Sequence, residues 1–388
     1  MTDVLKGVRV VELSTVITAP LAGMMLADLG AEVIKVEHPQ GGDPFRTFRG
    51  EQYSPNFVAY NRGKRSIQLD LRTDEGRAIL LKLVARADVL LENYRPGIMQ
   101  KLGLGDDALA ATNARLIHCS ITGFGASGPY SARPAYDNVA VALSGIASLQ
   151  LDPEHPQSSG PTIPDNATGM FACYGIFGAL YERAHSGRGH RVDVNMLEAG
   201  IAFIPDPFAN YTRAGIKSDR LTRVAASQSF AFRCGDGKLI AVHLSSQPKF
   251  FEAMAAAPDL VRDERFATRD LRIKNYGELA RVFAEIVATK PGAHWVNVLE
   301  ENDVPFAPVN SIADVLDDPQ VRHLRTFYRQ RHPTEGESTA IHRPVLIDGA
   351  RNERALPAPV LGEHTDAVLA ELGYDQDEIA KLRAAAVI

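Results

Sequence analysis

Val8-Arg-Val-Val-Glu-Leu13 and Ala31-Glu-Val-Ile-Lys-Val36 are two short apolar runs joined by a small-residue segment from Ala19 to Leu29. Runs of this length, rich in valine and isoleucine, read as buried strands, and the longer segment between them reads as a helix. Together they form a βαβ unit, in which the helical crossover lets the two strands run parallel. The rhythm repeats. Ser66-Ile-Gln-Leu-Asp-Leu71 reads as a strand, Thr73 to Arg86 as a helix opened by Thr-Asp-Glu, and Asp88-Val-Leu-Leu-Glu92 as the next strand. Leu116-Ile-His-Cys-Ser-Ile121 and Arg191-Val-Asp-Val-Asn-Met196 continue the series. The predicted fold class is α/β, a parallel sheet flanked by helices, whose ligands settle beyond the carboxyl ends of the strands. The loops after Leu13, Val36, Leu71, Glu92 and Ile121 are therefore the candidates for function.

From about Leu197 the rhythm changes. Ile204-Pro-Asp-Pro207 breaks the chain, and the segment from Phe230 to Val242 reads as a hairpin turning at Gly235-Asp-Gly237. Helical stretches are predicted at 248–257 and 277–301. A Pro- and His-rich stretch at 319–344 reads as a return linker, and Leu361 to Leu382 as mostly helical. A second, smaller domain thus begins after residue 200, as the length of 388 residues also suggests.

Hydrophobic residues make up 45% of the chain and charged residues 23%, a composition ordinary for a soluble globular protein. Met1-Thr-Asp-Val-Leu-Lys6 lacks the basic-then-apolar pattern of a leader, and no segment offers the ~18 apolar residues of a membrane span. A cytoplasmic protein without membrane partners is expected. Cys119, Cys173 and Cys234 are far apart and form no metal or disulfide pattern, so no metal is expected. The net charge of −5 argues against nucleic acid as a partner. Residues 46–101 differ, with eleven basic side chains against six acidic ones, a surplus that suits a small polyanion.

Gly123-Phe-Gly-Ala-Ser-Gly128 matches G-x-G-x-x-G after a strand, but Pro129 and Pro134 forbid the helix a dinucleotide loop needs at its last glycine. A nucleotide-dependent oxidoreductase is accordingly the weaker rival. Motifs of P-loop hydrolases, zinc peptidases and elbow-type serine hydrolases are absent. His118 and Cys119 read as strand packing.

The most informative stretch runs from Gly160-Pro-Thr-Ile-Pro-Asp165 into a long apolar segment rich in Ala and Gly, up to Arg183. It predicts a closely packed helix with Asp165 at its N-terminal end. Two readings stand. Asp165 is an N-cap, or it is a carboxylate kept anionic by the helix terminus and available to attack a thioester. Position alone does not decide between them.

Taken in order, the landmarks resemble the family III CoA-transferases, the group that includes formyl-CoA transferase, carnitine CoA-transferase and the α-methylacyl-CoA racemases. They are Leu5-Lys-Gly-Val-Arg-Val-Val-Glu-Leu13, Asp28-Leu-Gly-Ala-Glu-Val-Ile-Lys-Val-Glu37, Gly42-Asp-Pro-Phe-Arg46, and Asn61-Arg-Gly-Lys-Arg-Ser-Ile-Gln-Leu-Asp-Leu71. Glu92-Asn-Tyr-Arg-Pro-Gly97, Tyr136-Asp137, Asp165-x-x-Thr-Gly169, Ser186 to Val194 and Leu361-Gly-Glu-His-Thr365 complete them.

The resemblance implies a large domain built from both chain ends (1–200 and 346–388), linkers at 201–224 and 321–345, a small α+β domain at 225–320, and an interlocked homodimer. It implies CoA transfer from an acyl-CoA to a carboxylic acid, with Asp165 as nucleophile, CoA as co-substrate and no prosthetic group. By motif match the CoA contacts fall on Val16, Ile17, Thr18, His38, Leu69, Arg72, Asn93, Tyr94, Arg95, Lys101, Arg133, Tyr136 and Asp137. Val16, Ile17 and Leu69 would offer backbone or apolar contacts, and the basic residues would meet phosphates. Racemases of this group carry Gly-His-Asp where this chain reads Ala135-Tyr-Asp137, and a phenol is a poor substitute for that histidine base. A racemase remains the rival within the family, and a non-catalytic CoA-binding module comes last. Phe45, Phe48, Tyr136, Gln228 and Phe230 are either acyl-pocket or core residues.

Overall fold

Six strands pair in parallel: β1 (Arg9–Leu13), β2 (Glu32–Glu37), β3 (Lys64–Gln68), β4 (Val89–Glu92), β5 (Ile117–Thr122) and β6 (His190–Asn195). Their order is β3-β2-β1-β4-β5-β6, so the direction of winding reverses between β1 and β4. At such a switch point the loops after the two central strands part and leave a crevice. This is a computed structural model, and it describes residues 3–50, 52–245, 260, 262–351 and 356–388.

One face of the sheet packs Val11, Leu13, Ile34, Leu90 and Ile67 against helices Asp74–Val84, Thr365–Glu371 and Gln376–Ala384. The other packs Val10, Val33, Val89, Leu91 and Ile117 against helices Thr18–Asp28 and Ile163–Ser186. The α/β sheet flanked by helices is as the sequence predicts. β3 begins two residues earlier than expected and ends at Gln68. Its first half turns Lys64 and Ser66 inward onto polar partners, which a count of apolar residues misses.

The described residues fall into two compact units, Met1–Ile146 with Gly160–Ile204 and Arg322–Ile388, and Ala147–Ser159 with Pro205–Val321. In the second, β7 (Ser229–Arg233), β8 (Leu239–His243) and β9 (Phe306–Pro308) form an antiparallel sheet. Helices Tyr276–Val287 and Gly292–Glu301 cover it with Leu279, Phe283, Trp295 and Leu299. The helix expected at 277–301 is broken at Lys290-Pro291, where proline cannot continue the ladder. The helix expected at 248–257 lies outside the described residues.

Two stretches expected as linkers are structured. Residues 201–224 hold helix Pro205–Ala214 and the start of helix Thr222–Ser227. Residues 321–345 hold a hairpin of β10 (Phe327–His332) and β11 (Gly336–Ile341). In β10 the inward positions are Gln330 and His332, both 3% exposed, so the strand alternation is written in polar residues and escapes a hydrophobicity reading. No helix among the described residues is long and apolar enough to cross a membrane.

Candidate active site

Asp165 is the third residue of helix Ile163–Ser186, not its cap. Pro164 favours the helical turn there, and Thr162 stands at the N-cap. The side chain is 8% exposed, and its carboxylate accepts no hydrogen bond among the described residues. Its backbone N–H donates instead to Asp137 Oδ1 at 3.1 Å. Burial, and then the charge of Asp137, push the Asp165 carboxyl up to about 7. Burial and the neighbouring carboxyl thus work against the anion at this helix terminus. Burial raises Asp137 as well, opposed by the amide it accepts.

Helix position follows from close packing. Gly169 lies one turn after Asp165 on the same face, and a Cβ there would sit 2.7 Å from the Thr18 carbonyl oxygen. That face is laid on the N-terminus of helix Thr18–Asp28, beside the loop after β1. Thr168 Oγ1 donates to the Pro164 carbonyl at 2.6 Å, tightening the turn that carries Asp165. Tyr60 joins the site from helix Pro55–Asn61. Burial raises its phenol, the nearby Asn166 and Thr162 oppose the rise, and the charges of Asp165 and Asp137 add to it. Sequence reasoning missed Tyr60. Its only signal is its place just before Asn61-Arg-Gly-Lys64.

The remaining predicted residues gather at the carboxyl end of the sheet. Val16 has a left-handed backbone (φ 71°), and its N–H donates to Asp43 Oδ1 at 3.1 Å. The amide of Asn93 is spent across the switch point: it accepts from the Thr15 N–H (3.0 Å) and donates to the Thr15 carbonyl (2.8 Å) and Thr18 Oγ1 (3.1 Å). It stitches two loops together, so both Nδ2 hydrogens are committed within the protein. Ile17 and Leu69 are 7% and 1% exposed, so their side chains are core, and any ligand contact there is through the backbone. Arg72 wraps the Asp70 carboxylate (2.7 Å), holding it down to about 2, and also meets His38 Nε2 at 2.8 Å.

Tyr94 is partly buried, its N–H bound to Glu92 Oε2 at 2.7 Å. Arg95 and Lys101 are exposed and unpaired among the described residues. Arg133 lies over the Tyr130 ring at 3.9 Å, in the irregular segment 123–136. No helix opens at Gly128; the next one, Asp137–Leu143, starts nine residues later, behind the exposed Tyr136. Gly123 is required by proximity, since a Cβ would meet the Ala135 Cβ at 2.2 Å. Phe45 is buried beside Phe48 and Tyr60 (5.2 and 6.3 Å between ring centres), whereas Phe230 and Gln228 are buried in the second unit. Phe230 there stacks on Tyr276 and Phe232 as an ordinary core ring.

This layout matches known proteins throughout. A succinyl-CoA:glutarate CoA-transferase of Mus musculus is 35% identical over 395 residues, covering 99% of this chain and 90% of that one. The α-methylacyl-CoA racemase of Homo sapiens is 32% identical, covering 99% and 97%. The crystal structure of a CaiB/BaiF family protein from Brucella suis superposes with a TM-score of 0.86 at 33% identity, covering 96% of this chain and all of that one. The family model described as CoA-transferase family III matches residues 5–365, and with these likenesses it shows that the chain belongs to that family.

Proposed function

We propose that this protein transfers coenzyme A from an acyl-CoA to a free carboxylic acid through Asp165. The observation that carries the reading is a buried carboxylate without hydrogen-bond partners, set beside a second carboxyl and next to the loop after β1, in a chain of this family. Without donors to satisfy it, the Asp165 anion is a better nucleophile than a solvated carboxylate.

Each step balances. An Asp165 oxygen attacks the thioester carbonyl, the C–S bond breaks, and CoA leaves as thiolate, giving a mixed anhydride. The thiolate attacks the aspartyl carbonyl, and the donor acid departs with the oxygen that Asp165 supplied. The acceptor carboxylate then attacks the aspartyl-CoA thioester, giving a second anhydride and free thiolate. Attack of the thiolate on the acceptor carbonyl makes the new acyl-CoA and restores Asp165. Every bond exchanged is similarly activated, so no ATP is needed. Arg95, Lys101 and Arg133, with the His38–Arg72 pair, would meet the CoA phosphates, and Tyr60 and Phe48 would flank the acyl group.

Relatives named for succinyl-CoA and glutarate make dicarboxylic acids the first substrates to try. An interlocked homodimer accords with Met170, Tyr174 and Tyr181, exposed along the long helix at 53%, 77% and 72%. Isomerisation is the second reading, favoured by the racemase relative and opposed by Tyr136. Incubation with acyl-CoA donors and a panel of acids in heavy water separates the two. New acyl-CoA without deuterium at C2 supports transfer; deuterium at C2 without a new acyl-CoA overturns it.

A further inference from the structure

Beneath the loop after β1 lies a cluster of four charges, all on side chains that water does not reach. Lys35 Nζ donates to the Ser14 carbonyl at 2.8 Å and pairs with Glu12 (3.2 Å) and Asp43 (3.0 Å). Lys64 Nζ donates to the Pro20 carbonyl at 2.8 Å and to Asn61 Oδ1 at 2.8 Å, and pairs with the same Glu12 at 2.9 Å. The other Asp43 oxygen accepts the Val16 N–H. We infer that Glu12, Lys35, Asp43 and Lys64 are positioning residues that lock the Ser14–Pro20 turn in the one shape able to receive CoA, an inference that rests on the CoA-transfer reading.

Three features support it. First, the cluster is a poor way to gain stability: buried ion pairs lose about as much in leaving water as they recover, and apolar side chains of equal size often serve better. Burial pulls Lys64 down to about 8 even with Glu12 beside it, although Asp43 and Glu12 raise Lys35 against the same burial. Apolar side chains cannot grip two carbonyls and an amide of one turn, and this cluster does. Second, Val16 is β-branched and left-handed, a conformation kept only when its surroundings over-determine it, and such strain gathers at ligand sites. Third, three polar groups of the turn have no backbone partner among the described residues. Pro20 has no N–H to give the Val16 carbonyl, and the Ile17 and Thr18 amides have no backbone partner among the described residues. Gly23 makes the cluster possible, because a Cβ there would sit 1.8 Å from Glu12 Oε2.

The test uses two variants of the whole enzyme. Glu12→Gln with Lys64→Met removes one acid and one base together, so no lone charge is buried; Asp43→Asn keeps the shape and removes one charge, and serves if the double variant fails to fold. Three readouts are taken: hydrogen exchange of the 14–19 amides without CoA, CoA affinity by calorimetry, and steady-state kinetics. The expected result is at least tenfold faster exchange in that segment, CoA binding weakened tenfold or more, and a raised KM with a much smaller change in kcat. Unchanged exchange overturns the clamp. Faster exchange with unchanged CoA affinity overturns its role in binding. If the wild-type enzyme binds no CoA, the functional reading fails by itself, and the exchange result still decides whether the turn is locked.

Discussion

The Asp165 N–H donates to Asp137 Oδ1 at 3.1 Å, joining two carboxyl-bearing residues 28 apart in the chain within one poorly solvated space. Two anions cannot share such a space cheaply, and the cost falls on Asp165, pushed up to about 7 while Asp137 is compensated by the amide it accepts. Since the attacking form is the anion, kcat/KM should rise with pH through about 7 and level off above it. Asp137→Asn removes the second cause of the shift and should move the rise to lower pH. A profile flat from pH 5.5 to 8 in the wild type would contradict this.

The same shift has a thermodynamic sign. Asp165 holds its proton more tightly folded than unfolded, so the folded chain binds more protons between the reference value of 3.8 and about 7. Stability from this group is present below 3.8 and is lost as pH rises through about 7. Asp165→Asn should therefore stabilise the protein at pH 8, by roughly 2–4 kcal/mol, with the gain fading towards pH 4. A capping role would predict near-equal stability at both pH values, because Asn caps about as well as Asp. Thermal unfolding at pH 4.5 and 8 decides.

Gly169 sets the height of the long helix over helix Thr18–Asp28. An added methyl would lie 2.7 Å from the Thr18 carbonyl and 3.0 Å from Leu21 Cδ2, and backbone does not yield as a side-chain tip does. Gly169→Ala should cost about 1–3 kcal/mol of stability. Because it also shifts Asp165 relative to the β1 loop, turnover should fall about a hundredfold, the scale of a 1 Å misplacement. Gly277, in the second unit and with nothing within 4 Å of an added Cβ, is the control, and Gly277→Ala should leave turnover unchanged.

The parallel sheet was legible because β1, β2, β4 and β5 are contiguous apolar runs, and a strand buried on both faces needs little else. What stayed hidden was written in polar residues whose partners lie far along the chain. Glu12 reads as an ordinary strand residue until Lys35 and Lys64 arrive from 23 and 52 positions away. Gln330 and His332 point inward in a stretch that composition marks as linker. Asp165 stood out through its motif, but its elevated pKa depends on Asp137 and on burial, neither of which spacing reveals. The burial of the Leu69 side chain and the bonds of Asn93 to Thr15 and Thr18 were equally hidden, since a sequence does not say whether a side chain or a backbone is presented.

The basic side chains at the carboxyl end of the sheet are not equivalent. The Arg72 guanidinium is already neutralised by Asp70, whereas Arg95 and Lys101 are exposed with no ion pair among the described residues. Phosphate recognition should rest more on the uncommitted charges. Arg95→Ala is expected to weaken CoA binding by about tenfold and to flatten its salt dependence. Arg72→Ala should do less, because the phosphate competes there with a carboxylate that must first be released. Calorimetry with CoA and dephospho-CoA at two salt concentrations checks both, and a larger effect at Arg72 would reverse the assignment.

The proposed chemistry leaves a mark on oxygen atoms. The donor acid departs with an oxygen that belonged to Asp165, and the acceptor replaces it with one of its own at the second anhydride. After the first turnover, an acceptor labelled with heavy oxygen in its carboxyl group should pass label through the enzyme into the released donor acid. Direct attack of the acceptor on the donor thioester would instead put the label into the donor acid in the first turnover and leave none in Asp165. With donor acyl-CoA alone, a hydroxylamine-sensitive adduct should accumulate on the peptide 161–183, because an aspartyl thioester is far more reactive than an ordinary side-chain amide or ester. Asp165→Ala should fold, bind CoA and show neither label transfer nor adduct, since among the described residues Asp137 is the other carboxylate acting on that space. Asp137 is the fair competitor. An adduct mapped to the peptide containing Asp137, or one that survives in Asp165→Asn, would exchange the roles of the two carboxyl groups and sink the mechanism.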